Sequence, residues 1–269
     1  MMKIGFIGLG NMGGSLARLV AQDERYRSEL LLANRSRDKA ERIAAEVGGQ
    51  SVSNAEVFAQ AEVIFLGIKP AQFADLLADY QEVLEKRESL LLVSMAAGLT
   101  LERLEKMTPS HHRWIRIMPN TPVAVGEGVI SYALSQRAKR ADEDLLRELL
   151  SSAGLLLKLD EKQLDAATAL AGCGPAFVYL FIEALADAGV RAGLSRDISL
   201  ELANQTLLGA AKLSQISGQH PAQLKDQVCS PAGSTIAGVA NLEENAFRGT
   251  VMDAVQAAYK RTQELGKKS

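Results

Sequence analysis

Lys3-Ile4-Gly5-Phe6-Ile7-Gly8-Leu9-Gly10-Asn11-Met12-Gly13-Gly14 is the stretch on which the reading of the whole chain turns. Ile4 to Ile7 is an apolar run of strand length. Gly8, Gly10 and Gly13 follow in G-x-G-x-x-G spacing, and Ser15 to Val20 carries apolar residues at helical intervals. Strand, glycine turn and helix, in that order, are the context that makes this spacing a dinucleotide fingerprint. Gly8 is expected to make the tight turn. Gly10, without a Cβ, lets a pyrophosphate approach the backbone, and Gly13 allows close helix–strand packing. The turn Gly8-Leu9-Gly10 and the helix start Asn11-Met12-Gly13 are therefore the expected phosphate cradle, with the positive helix end facing the charge.

Working outward, Leu30 to Ala33 is a second apolar strand, followed directly by Asn34-Arg35-Ser36-Arg37. An NAD-binding chain would carry an acidic residue here, roughly 20 residues past the glycines, to bind the ribose 2′-hydroxyl. No carboxylate is present. Asn34, Ser36 and the two arginines, Arg35 and Arg37, can instead hold a 2′-phosphate by charge-assisted hydrogen bonds, which favours NADP over NAD. Ser36 also suits a helix N-cap. Further strands are expected over Glu62–Ile68, Leu90–Ser94, Trp114–Met118, Gly128–Ala133 and Leu155–Leu159, with helices between them. The alternation implies a doubly wound parallel sheet with antiparallel strands late in the order. Ser53-Asn54-Ala55-Glu56 reads as a capped helix start. Lys69-Pro70 ends a strand at the carboxyl edge of the sheet, where ligands bind, with Pro70 at the first helical position. After Leu90–Ser94, Met95-Ala96-Ala97-Gly98 offers small residues on which a flat ring can lie. Pro119-Asn120-Thr121-Pro122 makes a stiff polar loop.

Near residue 160 the character changes, and no strand is expected from Leu164 onward. Pro175 to Ala192 is apolar nearly all round, as a buried helix is. In a helical domain of this size a partner subunit is expected to cover part of it. Ile198–Ile216 and Ala246–Leu265 are further helices, with fraying over 266–269. Ser230-Pro231-Ala232-Gly233-Ser234-Thr235 reads as a helix opening with Ser230 as N-cap and Pro231 at N1. Its free N–H groups make a carboxylate site.

Bulk properties narrow the class. The chain has 269 residues, 47% hydrophobic and 23% charged, with a net charge of −2 and a pI near 6.0. This suits two soluble domains and gives no footprint for nucleic acid or a membrane surface. Cys173 and Cys229, with His111, His112 and His220, form no disulfide framework or metal pattern. The longest apolar run, Leu90 to Leu99, is interrupted and too short to span a bilayer. A cytoplasmic enzyme is the expectation.

The later motifs resemble the pyrroline-5-carboxylate reductase family across residues 3–262. They are Gly67-Ile68-Lys69-Pro70, Ser94-Met95-Ala96-Ala97-Gly98, Met118-Pro119-Asn120-Thr121-Pro122, Leu170-Ala171-Gly172-Cys173-Gly174-Pro175-Ala176, Gln223-Leu224-Lys225-Asp226 and Ser230 to Gly238. Three positions depart from the family pattern: Ala171 and Cys173 replace serines, and Ala232 replaces the first glycine of an S-P-G-G run. The resemblance implies an α/β Rossmann-like dinucleotide-binding domain (1–160) and an all-α substrate-binding and dimerisation domain (161–269). It implies NADPH-dependent reduction of a ring C=N to L-proline, with NADH a weaker donor. It also implies a homodimer interleaved through the helical domain, often in a ring of dimers. Ser230, Ala232, Gly233, Ser234 and Thr235 would hold the substrate, with Thr235 on the ring nitrogen. Asn54, Ile68, Lys69, Pro70, Ala96, Ala97 and Asn120 would join Gly8–Gly13 and Asn34–Ser36 around the cofactor. Lys69 joins Thr235 as a catalytic candidate. A cation beside an iminium is unfavourable, so a positioning or cofactor-loop role suits Lys69 better than proton donation. Two alternatives stand beside this. One is a 3-hydroxy-acid dehydrogenase of the 6-phosphogluconate dehydrogenase type, against which Phe177 to Leu185 lacks the lysine those enzymes carry. The other is a non-catalytic NADP-binding regulator.

Overall fold

The computed structural model describes residues 2–268 and divides into two units, one up to Cys173 together with residues from Ala258, the other Gly174–Ala257. The first unit is built on one eight-stranded sheet: β1 (Ile4–Ile7), β2 (Leu30–Ala33), β3 (Gln50–Ser51), β4 (Val63–Leu66), β5 (Leu91–Ser94), β6 (Arg113–Pro119), β7 (Gly128–Leu134) and β8 (Gly154–Lys158). The spatial order is β3-β2-β1-β4-β5-β6-β7-β8. Strands β1 to β6 are mutually parallel, and β7 runs antiparallel to β6 while pairing parallel with β8. The expected sheet class and the late reversal are both present.

Continuous apolar runs form these strands because both faces are covered. Ile4, Phe6, Leu30, Leu32, Val63 and Phe65 enter one buried cluster, while Ile7, Leu31, Ala33, Ile64 and Leu66 enter another. Adjacent residues point to opposite faces, so an unbroken hydrophobic run feeds two cores. Phe6 stacks on Phe65 across the β1–β4 pair with ring centroids 4.7 Å apart. Chain order reverses at this same pair, which makes the carboxyl ends of β1 and β4 the place for a ligand crevice.

The second unit is helical: Gly174–Arg191, Arg196–Ser217, Pro221–Gln227, Ser234–Glu244 and the first turns of Phe247–Lys268. The expected burial of its long apolar helix is not reached within the chain. Only Ala186 of Gly174–Arg191 is buried, and Tyr179 and Leu180 are 59% and 66% exposed. The helix Pro221–Gln227 was not expected from the sequence. The last helix runs through Lys268 rather than fraying from Gly266; Ser269 lies outside the described residues.

One local expectation is corrected. The helix after Ser230 begins at Ser234, with Gly233 as N-cap, so Ser230 is not the cap and Pro231 is not at N1. Instead Ser230 to Gly233 forms a turn in which the Gly233 N–H donates to the Ser230 carbonyl at 3.0 Å. Ala232 holds φ +58° at its third position. This is the backbone pattern of a type II turn, with proline second and a left-handed residue third.

Candidate functional site

A cavity of about 730 Å³ opens at the β1–β4 switch. Its floor is the glycine turn. Gly8 has φ +91°, and a Cβ there would meet the Gly67 carbonyl oxygen at 2.6 Å. A Cβ on Gly13 would collide with the Gly8 carbonyl oxygen, so this glycine admits the helix against the turn. A Cβ on Gly10 would meet nothing within 4 Å. Two glycines are thus required by packing, and the one between them faces open space. The helix Asn11–Val20 starts there with no side-chain cap on its first turn, which leaves Asn11, Met12 and Gly13 to present N–H groups to an anion.

The turn is fastened to the end of β2. Gly8 N–H donates to the Ala33 carbonyl at 2.9 Å, and Leu9 N–H donates to Asn34 Oδ1 at 3.0 Å. Asn34 Nδ2 in turn donates to the Ser36 carbonyl at 3.2 Å. Leu9 is fully buried, so neither its side chain nor its amide is presented to a ligand; its part is to anchor the turn. Ser36 occupies the N-cap position of Arg37–Val47, yet its side chain makes no capping bond. Arg37 is paired with Glu41 at 2.9 Å. Arg35 makes no ion pair among the described residues and lies on the cavity wall beside Asn34 and Ser36.

Opposite stand Ser53 and Asn54. Ser53 Oγ accepts from the Glu56 N–H at 3.2 Å, and the Glu56 carboxylate accepts from the Ser53 N–H at 2.8 Å. This reciprocal box fixes the helix start and sets Asn54 at the cavity. The Ser53 N–H, together with the Ser53 hydroxyl that donates to the same carboxylate at 2.8 Å, holds the Glu56 carboxyl below the usual carboxylate range. Gly67, Ile68 and Lys69 complete the wall at the end of β4. Lys69 N–H donates to Gln72 Oε1 at 3.2 Å, and Pro70 begins the short 3₁₀ turn that follows.

Sequence reading missed Gln72, Asp75, Leu76 and Asp79, which also line the cavity. Their signal was helical spacing after Pro70, and it carried no chemistry of its own. Other expected residues lie outside this cavity. Ala96 is buried, with its N–H donated to Ser94 Oγ at 3.2 Å. Asn120 is buried with a partner at each end of its amide: Oδ1 accepts from Val129 N–H at 2.8 Å, and Nδ2 donates to the Ala171 carbonyl at 3.0 Å. A buried carboxamide has to be satisfied, and here it ties β7 to the π-helical turn Thr168–Gly172.

Within the second unit, Ser230 to Thr235 forms the turn and helix start described above, with exposed Ser234 and Thr235 on the first turn of Ser234–Glu244. Among the described residues no group of His, Cys, Asp and Glu is placed to hold a metal ion.

Comparison with known proteins bears on both units. The family described as pyrroline-5-carboxylate reductase dimerisation matches residues 161–265. That described as NADP oxidoreductase coenzyme F420-dependent matches residues 3–98. The chain is 45% identical to a pyrroline-5-carboxylate reductase of Pisum sativum over 264 residues, covering 97% of this chain and 95% of that one. It is 39% identical to the enzyme of that name from Synechocystis, covering 99% of each. Among solved structures, a Plasmodium falciparum pyrroline carboxylate reductase with NADP bound superposes with a TM-score of 0.88 at 36% identity, covering 98% of both chains. The Coxiella burnetii pyrroline-5-carboxylate reductase gives 0.89 at 30% identity, again over 98% of both.

Proposed function

The chain belongs to the pyrroline-5-carboxylate reductase family, and from that premise we propose how its own residues carry the reaction. It reduces 1-pyrroline-5-carboxylate to L-proline with NADPH. The observation that carries this is identity of 45% sustained over nearly the full length of both chains.

The cavity suits the nucleotide. Gly10 is open where a diphosphate approaches, the following helix start is uncapped, and no carboxylate stands among Asn34, Arg35 and Ser36. In our reading Gly10 to Gly13 hold the diphosphate, and Arg35 and Ser36 take the 2′-phosphate. Asn54, Ile68, Lys69 and Pro70 flank the ribose, while Ala97, with the buried Ala96 behind it, backs the ring. Bound NADPH supplies the hydride. The protein's part is positional and electrostatic, since hydride addition to a C=N needs no covalent residue. Backbone N–H groups of Ala232, Ser234 and Thr235 hold the substrate carboxylate, that of Gly233 being taken by the Ser230 carbonyl, and the Thr235 hydroxyl orients the ring nitrogen. Lys69 serves the cofactor side rather than proton delivery, because its charge would oppose an iminium.

Oligomerisation through the helical unit follows from the dimerisation family that covers it. A homodimer, in turn assembled into a ring of dimers, is our finer reading. By length and composition the run Glu161–Arg191 could cross a membrane, and dimer contact gives that apolar surface another use. Cytoplasmic residence belongs to the same proposal. The deciding assay follows NADPH oxidation with pyrroline-5-carboxylate, beside a panel of 3-hydroxy acids with NADP. Turnover of a hydroxy acid without turnover of the imine would overturn the assignment.

A further inference from the structure

Glycine is disfavoured inside a helix relative to alanine, so Gly266, in the last turns of Phe247–Lys268, asks for a reason. The reason is a close backbone approach. A Cβ on Gly98 would meet Gly266 Cα at 2.6 Å, Gly266 N at 2.9 Å and the Leu265 carbonyl carbon at 3.3 Å. Gly98 itself turns the chain at φ +80° after β5. Arg103, in the next helix Leu101–Lys106, donates through its guanidinium to the Gly266 carbonyl at 3.1 Å. The other end of this loop reaches Gly67, which packs against the glycine turn. A Cβ on Gly67 would lie 3.0 Å from Met95 Cε and 2.5 Å from the Gly8 carbonyl oxygen. Met95 N–H is held by the Leu66 carbonyl at 3.2 Å. The loop 95–98 is therefore held between Gly67, which abuts the diphosphate turn, on one side and the last helical turns on the other.

We propose that Gly266 is a positioning residue for the cofactor: the last turns of the C-terminal helix set the loop Met95–Gly98 and through it the placement of the nicotinamide. Neither Gly266 nor Arg103 lines the nucleotide cavity; both act through the Gly98 turn. The inference rests on the reading above that Ala97, with Ala96 behind it, backs the nicotinamide.

The test compares Gly266→Leu, Gly266→Ala, Arg103→Met and Ala97→Leu in the full-length protein. Steady-state kinetics with NADPH are measured, with the dissociation constant of 2′,5′-ADP, which lacks the nicotinamide, and the melting temperature. Gly266→Leu should lower kcat/KM for NADPH by about tenfold, the scale of a misplaced reactant, and leave 2′,5′-ADP affinity within about twofold of wild type. Arg103→Met should move the same way by less, and Gly266→Ala should fall between wild type and Gly266→Leu, its methyl pressing on Gly98 Cα and O at 3.3 Å. Unchanged NADPH kinetics in Gly266→Leu would overturn the proposal. So would an equal loss of 2′,5′-ADP affinity, which would mark a merely structural role. Ala97→Leu separates the two layers. If it impairs NADPH use while Gly266→Leu is silent, the positioning role alone falls. If Ala97→Leu is itself silent, the placement of the loop beside the nicotinamide is wrong, and the proposal falls with it.

Discussion

Asn34 receives the Leu9 N–H on its side-chain oxygen at 3.0 Å, joining the loop after β2 to the glycine turn after β1. The same carboxamide donates to the Ser36 carbonyl. One neutral side chain thus braces two parts of the nucleotide cradle.

Native enzyme should show a lower KM for NADPH than for NADH. Asn34→Asp keeps an acceptor for Leu9 but loses the donor to Ser36 and brings a negative charge beside Arg35. It should shift preference towards NADH by repelling the 2′-phosphate. Asn34→Ala removes the brace without adding charge and should weaken both cofactors. Paired KM measurements check this, and a native enzyme that uses NADH better at equal concentration would refute the 2′-phosphate reading.

Thr235→Val keeps side-chain shape and removes the hydroxyl. Backbone donors of the loop survive, so NADPH affinity should hold. The kcat/KM for the imine should fall on the order of tenfold to a hundredfold for one lost hydrogen bond in the transition state. Unchanged kcat/KM would leave Thr235 as a plain helix residue.

At Ala232 the backbone is left-handed, where a side chain costs about 1 kcal/mol relative to glycine. Ala232→Gly should therefore raise the melting temperature, or at least avoid the loss typical of alanine-to-glycine changes. Calorimetry on the pair decides; a clear drop in melting temperature would show the turn to be unstrained.

His112 is 1% exposed. Its Nδ1 accepts the Leu90 N–H at 3.1 Å, and its Nε2 lies 3.0 Å from the Leu84 carbonyl, so the neutral ring with the proton on Nε2 satisfies both. Burial, with the neighbouring His111 second, lowers its pKa from 6.5 to about 4. The unfolded chain takes up this proton below pH 6.5 while the folded chain does not. Stability is therefore full above 6.5 and falls progressively towards pH 4, by up to about 3 kcal/mol. Denaturant titrations at several pH values should show a shallower fall for His112→Gln over that window. Parallel curves would remove His112 as the source.

Leu180 and Tyr179 lie on the apolar face of Gly174–Arg191 that the chain itself leaves open. Leu180→Asp should reduce the molar mass seen by light scattering at low micromolar concentration and lower stability, whereas a truly solvent-facing site would tolerate the charge. An active monomer of the native protein would contradict an obligate dimer.

Legibility in the sequence followed the strength of the physical signal. Strands such as Ile4–Ile7 and Leu30–Ala33 are buried on both sides, and nothing but an apolar run can serve there, so their bounds were readable to the residue. Gln50–Ser51 was not, being two polar residues that only pairing with Leu31 and Leu32 makes a strand. Ser230-Pro231 has the composition of a cap and first turn, but an alanine does not announce positive φ, so the helix starts three residues later than that composition implies. Arg116 sits inside a strand with only 3% of its side chain exposed, between Glu161 at 3.4 Å and Asp165 at 3.2 Å. A charge within an apolar run implies a partner, and its distance along the chain is invisible beforehand. Asn120 reads as a cofactor contact on a stiff polar loop, but its amide goes to Val129 and to a π turn 51 positions away that no local signal marks.

The nucleotide-binding unit is discontinuous along the chain: it takes residues up to Cys173, omits 84 that form the helical unit, and resumes at Ala258. Arg103 and the Gly266 carbonyl it holds are 163 positions apart. On the ribosome, the sheet and its glycine turn emerge long before the turn that packs on Gly98 has been translated. Closure of this unit is thus deferred until the helical segment has also been made, an entropic burden of loop closure that grows only slowly with length. Contacts of such sequence separation form late in folding. Vectorial synthesis then gives this protein a built-in order, in which the surface for pairing with a second copy exists before the cofactor's cradle is finished.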